Sequence, residues 1–245
     1  MKERPQDRHD TAWHAQTQAV RGGLARSHFH ETAEALYLTS GYAYSNAAEA
    51  EAAFAGQNDH MVYSRYTNPT VSMFQDRLRM LEGAEACRAT GSGMAAVFLA
   101  LAALCGQGGR VVASRALFGA CYTIIDEILP RWGVRRVFVD GPDLDQWRDA
   151  LREPTAAVFF ETPSNPMQEL VDIAAVSDLA HAAGAQVVVD NVFGTPVFSR
   201  PLDLGADIVV YSATKHLDGQ GRVLGGAVLG TEDFVAGPVE KLLRS

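Results

Sequence analysis

Short hydrophobic runs alternate with longer amphipathic stretches along most of the chain. The runs hold five to seven residues, are rich in valine and end at a polar residue, as in QVVVD (186–190) and ADIVVYS (206–212). The stretches between them place apolar residues at helical spacing, as in IAAVSDLAHAAG (173–184). Buried runs that alternate with helices are typical of βα units. The pattern therefore predicts an α/β fold with a mostly parallel sheet.

The alternation predicts individual elements between residues 92 and 243. The predicted strands are RVVAS (110–114), VRRVFVD (134–140), TAAVFFE (155–161), QVVVD (186–190), ADIVVYS (206–212) and GGAVLG (225–230). The predicted helices are SGMAAVFLALAALC (92–105), CYTIIDEILPRW (121–132), DLDQWRDALRE (143–153), IAAVSDLAHAAG (173–184) and TEDFVAGPVEKLL (231–243).

The N-terminal part of the chain has a different pattern. Residues up to about Gln57 predict an extended arm with one helix at Ala47–Phe54, in a stretch rich in alanine and glutamate. We therefore divide the chain into an arm with one helix (1–57) and an α/β domain (58–245).

A further helix is predicted in TNPTVSMFQDRLRMLEG (67–83). Asn68 suits its N-cap, Pro69 suits the first helical position and Gly83 suits its end. Apolar residues recur through this helix at the spacing of a core-facing stripe. The stripe consists of Met73, Phe74, Leu78 and Leu81.

Composition narrows the classes of function. The 245-residue chain is 47% hydrophobic, which is enough for a sizeable core. Its net charge of −8 argues against nucleic acid as a partner, and no stretch forms a basic membrane-binding face. The longest apolar run, MAAVFLALAALC (94–105), has 12 residues and is too short to span a bilayer. The polar start (1–18) lacks the apolar core of a signal peptide.

Cysteine and histidine usage bears on compartment and metal binding. The three cysteines, Cys87, Cys105 and Cys121, form no CxxC pair, which fits a reducing cytoplasm. A free nucleophile and a buried thiol both stay open for them. His28 and His30 lack further ligands at metal spacing, so we expect local polar packing there and no metal.

Candidate chemistry lies at the predicted strand ends. Lys215 stands in YSATKHLDGQG (211–221), directly after one strand, while Glu161 and Asp190 end two others. Ligands of parallel α/β sheets bind at the carboxyl ends of the strands. The simpler interpretations are a surface lysine and ordinary polar strand ends. A dinucleotide oxidoreductase is disfavoured, because no GxGxxG follows a strand with an acidic residue at the required distance.

These residues suit a cofactor that carries an aldehyde, a pyridine nitrogen and a phosphate. Lys215 offers an amine that forms a Schiff base with the aldehyde. Asp190 offers a carboxylate that holds the proton of the pyridine nitrogen. Phe118 offers a flat apolar face for the ring. The alternatives are a helix cap for Asp190 and a core position for Phe118.

A phosphate site is predicted where TGSGMAA (90–96) begins a helix. Ser92, Gly93 and Met94 stand at the helix start, where free N–H groups and the positive end of the helix dipole attract anions. Ser212 and Thr214 add two hydroxyl groups. The alternatives are a tight turn at GSGM and ordinary strand-end hydrogen bonding by the hydroxyls.

Five blocks in this order resemble the Cys/Met-metabolism family of pyridoxal-phosphate enzymes. They are YSRYTNPT (63–70), GSGMAA (91–96), ETPSNP (161–166), VVVDNVFGTP (187–196) and YSATKHLDGQGRVLGG (211–226). The resemblance extends from about Val20 to the last residue. It implies the aspartate-aminotransferase-like fold (fold type I), with residues 58–245 as the pyridoxal-phosphate-binding domain. It also implies that the family's C-terminal domain, whose arginine holds the substrate carboxylate, is absent from this sequence.

The resemblance implies a role for each candidate residue. Lys215 matches the lysine that binds pyridoxal phosphate and moves protons, and Asp190 matches the partner of the pyridine nitrogen. Asn165 matches a residue beside the 3-hydroxyl group of the ring. Tyr63 and Arg65 match a pair that reaches the phosphate of a neighbouring subunit, which implies self-association into dimers or tetramers. The implied phosphate ligands are Gly93, Met94, Ser212 and Thr214.

One position departs from much of the family. Many members have a tyrosine where this chain has Phe118, which keeps the stacking but lacks a hydroxyl often assigned to proton transfer. The departure disfavours simple γ-elimination. The segments RALFGAC (115–121) and KHLDGQGRVLGG (215–226) resemble the O-succinylhomoserine sulfhydrylase subgroup.

We therefore expect a transferase of methionine biosynthesis. It would make homocysteine from O-succinylhomoserine and sulfide by γ-replacement. Alternatives within the family are cystathionine γ-synthase and a cystathionine or methionine lyase. An alternative of another class is a catalytically incompetent fragment that only folds or assembles.

Overall fold

The computed structural model describes residues 13–245. The chain divides into two compact units. The first extends to Met80 and also holds Arg244, and the second holds Leu81–Leu243 and Ser245. Most of the N-terminal segment considered above for a signal peptide lies outside the described residues. The functional division into an arm (1–57) and a cofactor-binding domain (58–245) stays a prediction.

Between residue 13 and Met80, three helices belong wholly or mostly to the first unit. They are α1 (Ala15–Arg21), α2 (Ala47–Phe54) and α3 (Pro69–Glu82). The predicted range of α2 is confirmed, and the Asn46 side chain caps this helix by accepting the N–H of Glu49 at 2.9 Å. The short α1 lies where the sequence predicts an extended arm. It buries no residue and so has no apolar stripe from which periodicity predicts a helix.

Both predicted ends of α3 are confirmed. The Asn68 side chain accepts the N–H of Thr70 at 2.9 Å, and Pro69 takes the first helical position. Gly83 follows the helix with a φ of 78°, a left-handed conformation that glycine adopts at little cost. In the predicted stripe, Met73 and Leu78 are buried, whereas Phe74 and Leu81 are half-buried.

Within the described part of the chain, the second unit is built on a seven-stranded sheet. The strands are β1 (Ala86–Thr90), β2 (Arg110–Ser114), β3 (Arg135–Val139), β4 (Ala157–Glu161), β5 (Gln186–Asp190), β6 (Ile208–Ser212) and β7 (Gly226–Gly230). Their order across the sheet is β1-β7-β6-β5-β4-β2-β3. The neighbours from β2 to β6 pair in parallel, and β7 is antiparallel to both of its neighbours. The mostly parallel sheet is therefore confirmed.

Helices cover both faces of this sheet. They are α4 (Gly93–Cys105), α5 (Gly119–Thr123), α6 (Leu144–Ala150), α7 (Ile173–Ala182), α8 (Thr195–Phe198), α9 (Glu232–Phe234) and α10 (Glu240–Arg244). Val111 and Phe159 belong to one buried cluster with residues of α4, whereas Val112 and Phe160 belong to another with Trp147 of α6. Because alternate strand residues enter separate cores, the strands are apolar on both faces and read as continuous hydrophobic runs.

Two predicted helices are interrupted in the structure. The segment 121–132 continues from α5 through a π-helical turn at Ile124–Ile128 into a 3₁₀ turn at Leu129–Trp132. The segment 231–243 has a π-helical turn at Val235–Val239 between α9 and α10. Each interruption contains or adjoins a proline, Pro130 or Pro238, whose ring removes one N–H donor and clashes with the preceding turn.

Strand β1 was not predicted from the sequence. Its residues, ACRAT (86–90), lack the valine-rich run of the parallel strands. It lies at the edge of the sheet and pairs only with β7 among the strands described here. Its buried residues, Ala86, Cys87 and Thr90, are small or polar, which explains the weak hydrophobic signal.

Candidate active site

Three parallel strands end side by side at the carboxyl edge of the sheet. Glu161 ends β4, Asp190 ends β5 and Ser212 ends β6. Glu161 and Asp190 are direct register partners, and Asp190 is also in register with Val210 of β6. Asp190 therefore lies beside the strand that leads to Lys215.

A cavity of about 430 Å³ opens at this edge. Nine residues predicted from the sequence line it together. They are Ser92, Gly93, Met94, Phe118, Asn165, Asp190, Ser212, Thr214 and Lys215. Five further lining residues were not predicted to belong to the site, namely Cys121, Glu161, Val192, Phe193 and Leu224. The structure thus brings one amine, two carboxyl groups and a helix start to one space.

The start of α4 forms one end of the cavity. Ser92 caps the helix, and its hydroxyl accepts the N–H of Ala95 at 3.2 Å. The N–H groups of Gly93 and Met94 in the first turn have no carbonyl partner within the helix. A Cβ added at Gly93 would lie 2.5 Å from the Cβ of Ser212, so only glycine allows this close approach. The result is an anion site formed by a helix start against the end of β6.

Lys215 lies in a turn that Thr214 holds in place. The Lys215 N–H donates to the Ser212 carbonyl at 3.3 Å, and the Lys215 side chain is exposed. The Thr214 hydroxyl donates to the Gly225 carbonyl at 3.2 Å and accepts the Gly225 N–H at 3.1 Å. To donate to an anion in the cavity, this hydroxyl must turn away from the Gly225 carbonyl.

Burial dominates the electrostatics of Asp190. Burial first, and then the negative charge of Glu161, raise the pKa of Asp190 to about 7. The N–H of Val192 donates to the Asp190 carboxylate at 3.1 Å and opposes this shift. A cationic group beside Asp190 would favour its ionised form, so the residue is suited to hold a protonated ring nitrogen.

Glu161 is the second buried carboxyl group of the cavity. Burial raises its pKa, while donation by the N–H groups of Asn165 and Phe118 opposes the rise. The Phe118 N–H lies 3.0 Å from Oε2 of Glu161. Glu161 therefore contacts the backbone of two predicted site residues. Its position at a strand end was the available sequence signal, although no role was assigned to it.

Cys121 was missed because its sequence context is apolar. It is buried, and burial first, followed by the charges of Asp190 and Glu161, raises the pKa of its thiol. Burial also raises the pKa of Cys105 to about 12. A thiol that stays protonated is a poor nucleophile, which favours the buried-thiol interpretation for both cysteines.

Tyr63 and Arg65 lie in the first unit. Both side chains are exposed, and the Arg65 guanidinium lies 5.3 Å from the ring centres of Tyr63 and Tyr66. Tyr63 also forms an isolated antiparallel bridge with Gly41. The expected contact of this pair with the phosphate of a neighbouring subunit stays a prediction.

Two further properties concern metals and membranes. Between residues 13 and 245, no group of three or more histidine, cysteine, aspartate or glutamate side chains could hold a metal ion. No helix in that same range is both long and apolar enough to cross a membrane.

Comparison with known proteins decides the family. Residues 16–243 match the model of the family described as Cys/Met metabolism PLP-dependent enzyme. The chain belongs to this family. It is 67% identical over 228 residues to O-succinylhomoserine sulfhydrylase of Mycobacterium tuberculosis, which covers 93% of this chain and 56% of that protein. It is 40% identical over 220 residues to L-methionine gamma-lyase of Porphyromonas gingivalis, covering 89% of this chain and 55% of that protein.

A solved structure supports the same assignment. The metY protein of Campylobacter jejuni, solved with N′-pyridoxyl-lysine-5′-monophosphate, superposes with a TM-score of 0.85 at 31% identity. The match covers 91% of this chain and 55% of that one. The predicted fold type I is confirmed. The chain spans about half the length of the curated relatives it matches.

The residues of the cavity fit the family's cofactor, pyridoxal phosphate. An aldehyde, a ring nitrogen and a phosphate require an amine, a carboxyl group and an anion site, and the cavity holds Lys215, Asp190 and the start of α4. The missing Cβ at Gly93 keeps the anion site open, because any larger residue there would collide with Ser212.

Proposed function

We propose that this protein is a pyridoxal-phosphate-dependent transferase that forms homocysteine from O-succinylhomoserine and sulfide. The main observation behind the proposal is that Lys215, Asp190 and the start of α4 line one and the same cavity. The choice of substrate is supported by 67% identity to an O-succinylhomoserine sulfhydrylase. In the reaction, the bond from the γ-carbon to the succinate oxygen breaks, and a bond to sulfur forms at the same carbon.

Lys215 and Asp190 carry the chemistry in this proposal. When bound, pyridoxal phosphate supplies an electron sink for the charge that develops at the substrate's α-carbon. The amine Nζ of Lys215 holds the cofactor before substrate arrives and then moves the proton at that α-carbon. The Asp190 carboxylate holds the proton of the ring nitrogen and so keeps the ring electron-poor.

The other lining residues bind and orient the cofactor. The N–H groups of Gly93 and Met94, with the hydroxyl groups at the end of β6, suit the phosphate. Phe118 suits the ring face and Asn165 the 3-hydroxyl group. The remaining phosphate ligands of the proposal are Ser92, Ser212 and Thr214.

A second copy of the chain completes the proposed phosphate site. Arginine grips phosphate with two parallel hydrogen bonds, and Arg65 is exposed beside the Tyr63 ring. We therefore assign Tyr63 and Arg65 to a neighbour's cofactor within a dimer or tetramer. The proposed small-molecule partners are the amino-acid ester and sulfide. The proposed compartment is the cytoplasm, supported by three buried cysteines that form no disulfide among the described residues.

A lyase is the second candidate function, because methionine gamma-lyases are also among the relatives. Phe118 favours replacement over elimination, since its ring has no hydroxyl group to move a proton. A fragment that binds cofactor without turnover is the alternative outside catalysis. Assays that offer sulfide or cysteine with O-succinylhomoserine or O-acetylhomoserine distinguish a sulfhydrylase, a cystathionine synthase and a lyase by their products.

The first prediction tests Lys215. In Lys215→Ala the amine is gone, so we expect loss of the visible absorbance of covalently bound pyridoxal phosphate and a fall in turnover of about 1,000-fold or more. Absorbance after gel filtration and a homocysteine assay measure both. Lys241→Ala, which changes an exposed lysine of α10, is the matched control and should behave like the native chain. Normal turnover in Lys215→Ala would remove Lys215 from its role.

A further inference from the structure

A second set of buried polar groups lies beside the cofactor cavity without lining it. It consists of Glu82 at the end of α3, Asn191 after β5 and Tyr211 in β6. All three are at most 1% exposed. Because side chains alternate along a strand, Tyr211 faces away from the cavity that its neighbour Ser212 lines.

Hydrogen bonds join these three side chains in a chain. The Tyr211 hydroxyl donates to Oε2 of Glu82 at 2.5 Å. The amide of Asn191 donates to the Tyr211 oxygen at 2.6 Å and to the Ser199 carbonyl at 2.9 Å. We call Glu82, Tyr211 and Asn191 the buried triad. Its bonds lie within the second unit and connect Glu82 to the ends of the two strands that carry Asp190 and Ser212.

Two oxygens of the buried triad have no partner among the described residues. They are Oε1 of Glu82 and Oδ1 of Asn191. A buried acceptor without a donor costs about 1–3 kcal/mol, and more when it is charged. An ionised carboxylate needs donors at both oxygens, and here only Oε2 receives one, so burying the charged form costs more free energy than burying the neutral acid. The site therefore favours a neutral Glu82.

The charges around Glu82 do not reverse this preference. Burial, the largest cause, raises the pKa of Glu82 to about 7, and the negative charge of Asp203 acts in the same direction. The Tyr211 hydrogen bond and the positive charge of Arg200 oppose the rise. Arg200 is itself paired with Asp203 at 3.1 Å, which weakens its effect on Glu82.

The buried triad touches the cofactor site through the backbone. Asn191 directly follows Asp190, and its N–H donates to the Val210 carbonyl at 3.2 Å. Tyr211 directly precedes Ser212. Packing here is tight, because a Cβ added at Gly194 would lie 2.2 Å from Oδ1 of Asn191. Asn191 and Tyr211 are thus each bonded through the backbone to a residue that lines the cavity, Asp190 and Ser212 respectively.

We propose that Glu82 is a positioning residue of the cofactor site, which acts through Tyr211 and Asn191 on Asp190 and Ser212. The proposal rests on the proposed binding of pyridoxal phosphate in the cavity. In this proposal the arrangement that binds cofactor is the one in which Glu82 is neutral, so cofactor binding and the protonation of Glu82 favour each other. By reciprocity, loss of that proton weakens cofactor binding. One unit of difference in pKa between the two states corresponds to a tenfold change in affinity.

The test measures the dissociation constant of pyridoxal phosphate between about pH 5.5 and about pH 8.5, on either side of the Glu82 pKa. Native protein is compared with E82Q, a neutral amide of the same shape. The cofactor's own titration cancels in the ratio of the two constants. We expect equal affinities at low pH and native binding about tenfold weaker than E82Q at high pH, which corresponds to about 1.4 kcal/mol. E85Q, an exposed glutamate three residues along the chain, should follow the native curve.

Tyr211→Phe distinguishes the hydrogen-bonded route from attraction or repulsion through space. Without the hydroxyl, Glu82 is no longer joined to Asn191, so E82Q should have no further effect in this background. If E82Q does not fold, Tyr211→Phe alone tests the proposal. Its affinity for pyridoxal phosphate should fall less than that of native protein as the pH rises to about 8.5. A pH-independent ratio, or an undiminished effect of E82Q beside Tyr211→Phe, overturns the proposal. Absence of cofactor binding by native protein would instead overturn the proposed function, and this inference with it.

Discussion

At the scale of single residues, the charge of Asp190 is the most direct test of the site. An asparagine in its place has the same shape but cannot balance a protonated ring nitrogen. In Asp190→Asn we expect cofactor to remain bound while exchange of the substrate's α-proton slows by about 100-fold or more. Exchange in deuterated water, followed by NMR, measures this rate. Asp178→Asn, on the exposed face of α7, is the control, and unchanged exchange in Asp190→Asn would exclude the assigned role.

Phe118 is the residue most relevant to the choice of reaction. Its ring lines the cavity and is 45% exposed, so Phe118→Tyr adds a hydroxyl without entering the packed core. We expect the ratio of elimination to replacement products to rise by about threefold or more, because the new group can move a proton. Product analysis with O-succinylhomoserine, with and without sulfide, gives the ratio. Phe198→Tyr, in exposed α8, is the control, and equal ratios in all three proteins would show that position 118 does not set the outcome.

At the scale of elements, the start of α4 against β6 tests the anion site. In Gly93→Ala the new Cβ meets Ser212 at 2.5 Å, so we expect a loss of about 1–3 kcal/mol in unfolding free energy and about tenfold weaker cofactor binding. Gly91→Ala is the matched control, because a Cβ there meets nothing within 4 Å. Urea unfolding and cofactor titration measure both effects. Equal stability of the two variants would contradict the close approach described for Gly93.

The elements also show which parts of the fold were predictable. The parallel strands β2, β4 and β5 are buried on both faces, so their hydrophobic runs marked them in the sequence. Strand β1 and helix α1 left no such mark, because the buried residues of β1 are small or polar and α1 buries no residue. The prediction of continuous helices at 121–132 and 231–243 was wrong for a local reason. Prolines within otherwise helical patterns change the backbone hydrogen bonding there.

The site residues follow the same division. Lys215, Asp190 and the start of α4 were predictable because strand ends and helix starts converge at one edge of a parallel sheet. Cys121 lines the cavity only through the packing of its element, which no local pattern in the sequence encodes, whereas Glu161 offered only its position at a strand end as a signal. The buried triad was not foreseen, because Glu82 and Tyr211 are 129 residues apart in the chain.

At the scale of the whole molecule, buried carboxyl groups set the dependence of stability on pH. The pKa values of Glu82 and Asp190 rise to about 7 from ordinary values of 4.5 and 3.8. Between these limits the folded state holds protons that the unfolded state has released, so this stabilisation is complete at low pH and is lost as pH rises through about 7. Carboxyl groups with lowered pKa values, such as Asp218, change the unfolding free energy only as the pH falls below their ordinary pKa. They therefore do not contribute to its change near pH 7.

The prediction is therefore that cofactor-free protein loses unfolding free energy between about pH 5 and about pH 8. The double variant E82Q/D190N should show a flatter dependence, because neither replacement titrates. Urea unfolding at a series of pH values gives both curves. Native stability that is constant or rises across this interval would show that these groups are ionised in the folded protein at low pH.

The pairing of β1 with β7 has a consequence for synthesis on the ribosome. The paired residues lie about 140 positions apart, an interval that takes roughly 7 to 28 s to translate at typical rates. Gly226 at the start of β7 packs so closely on the Ser92 carbonyl that a Cβ there would lie 2.3 Å from it. The phosphate end of the cavity is therefore incomplete in a nascent chain that stops before β7. We therefore expect stable capture of pyridoxal phosphate only after residue 230 has emerged, and until then β1 lacks its partner β7 and is open to pairing with other nascent chains.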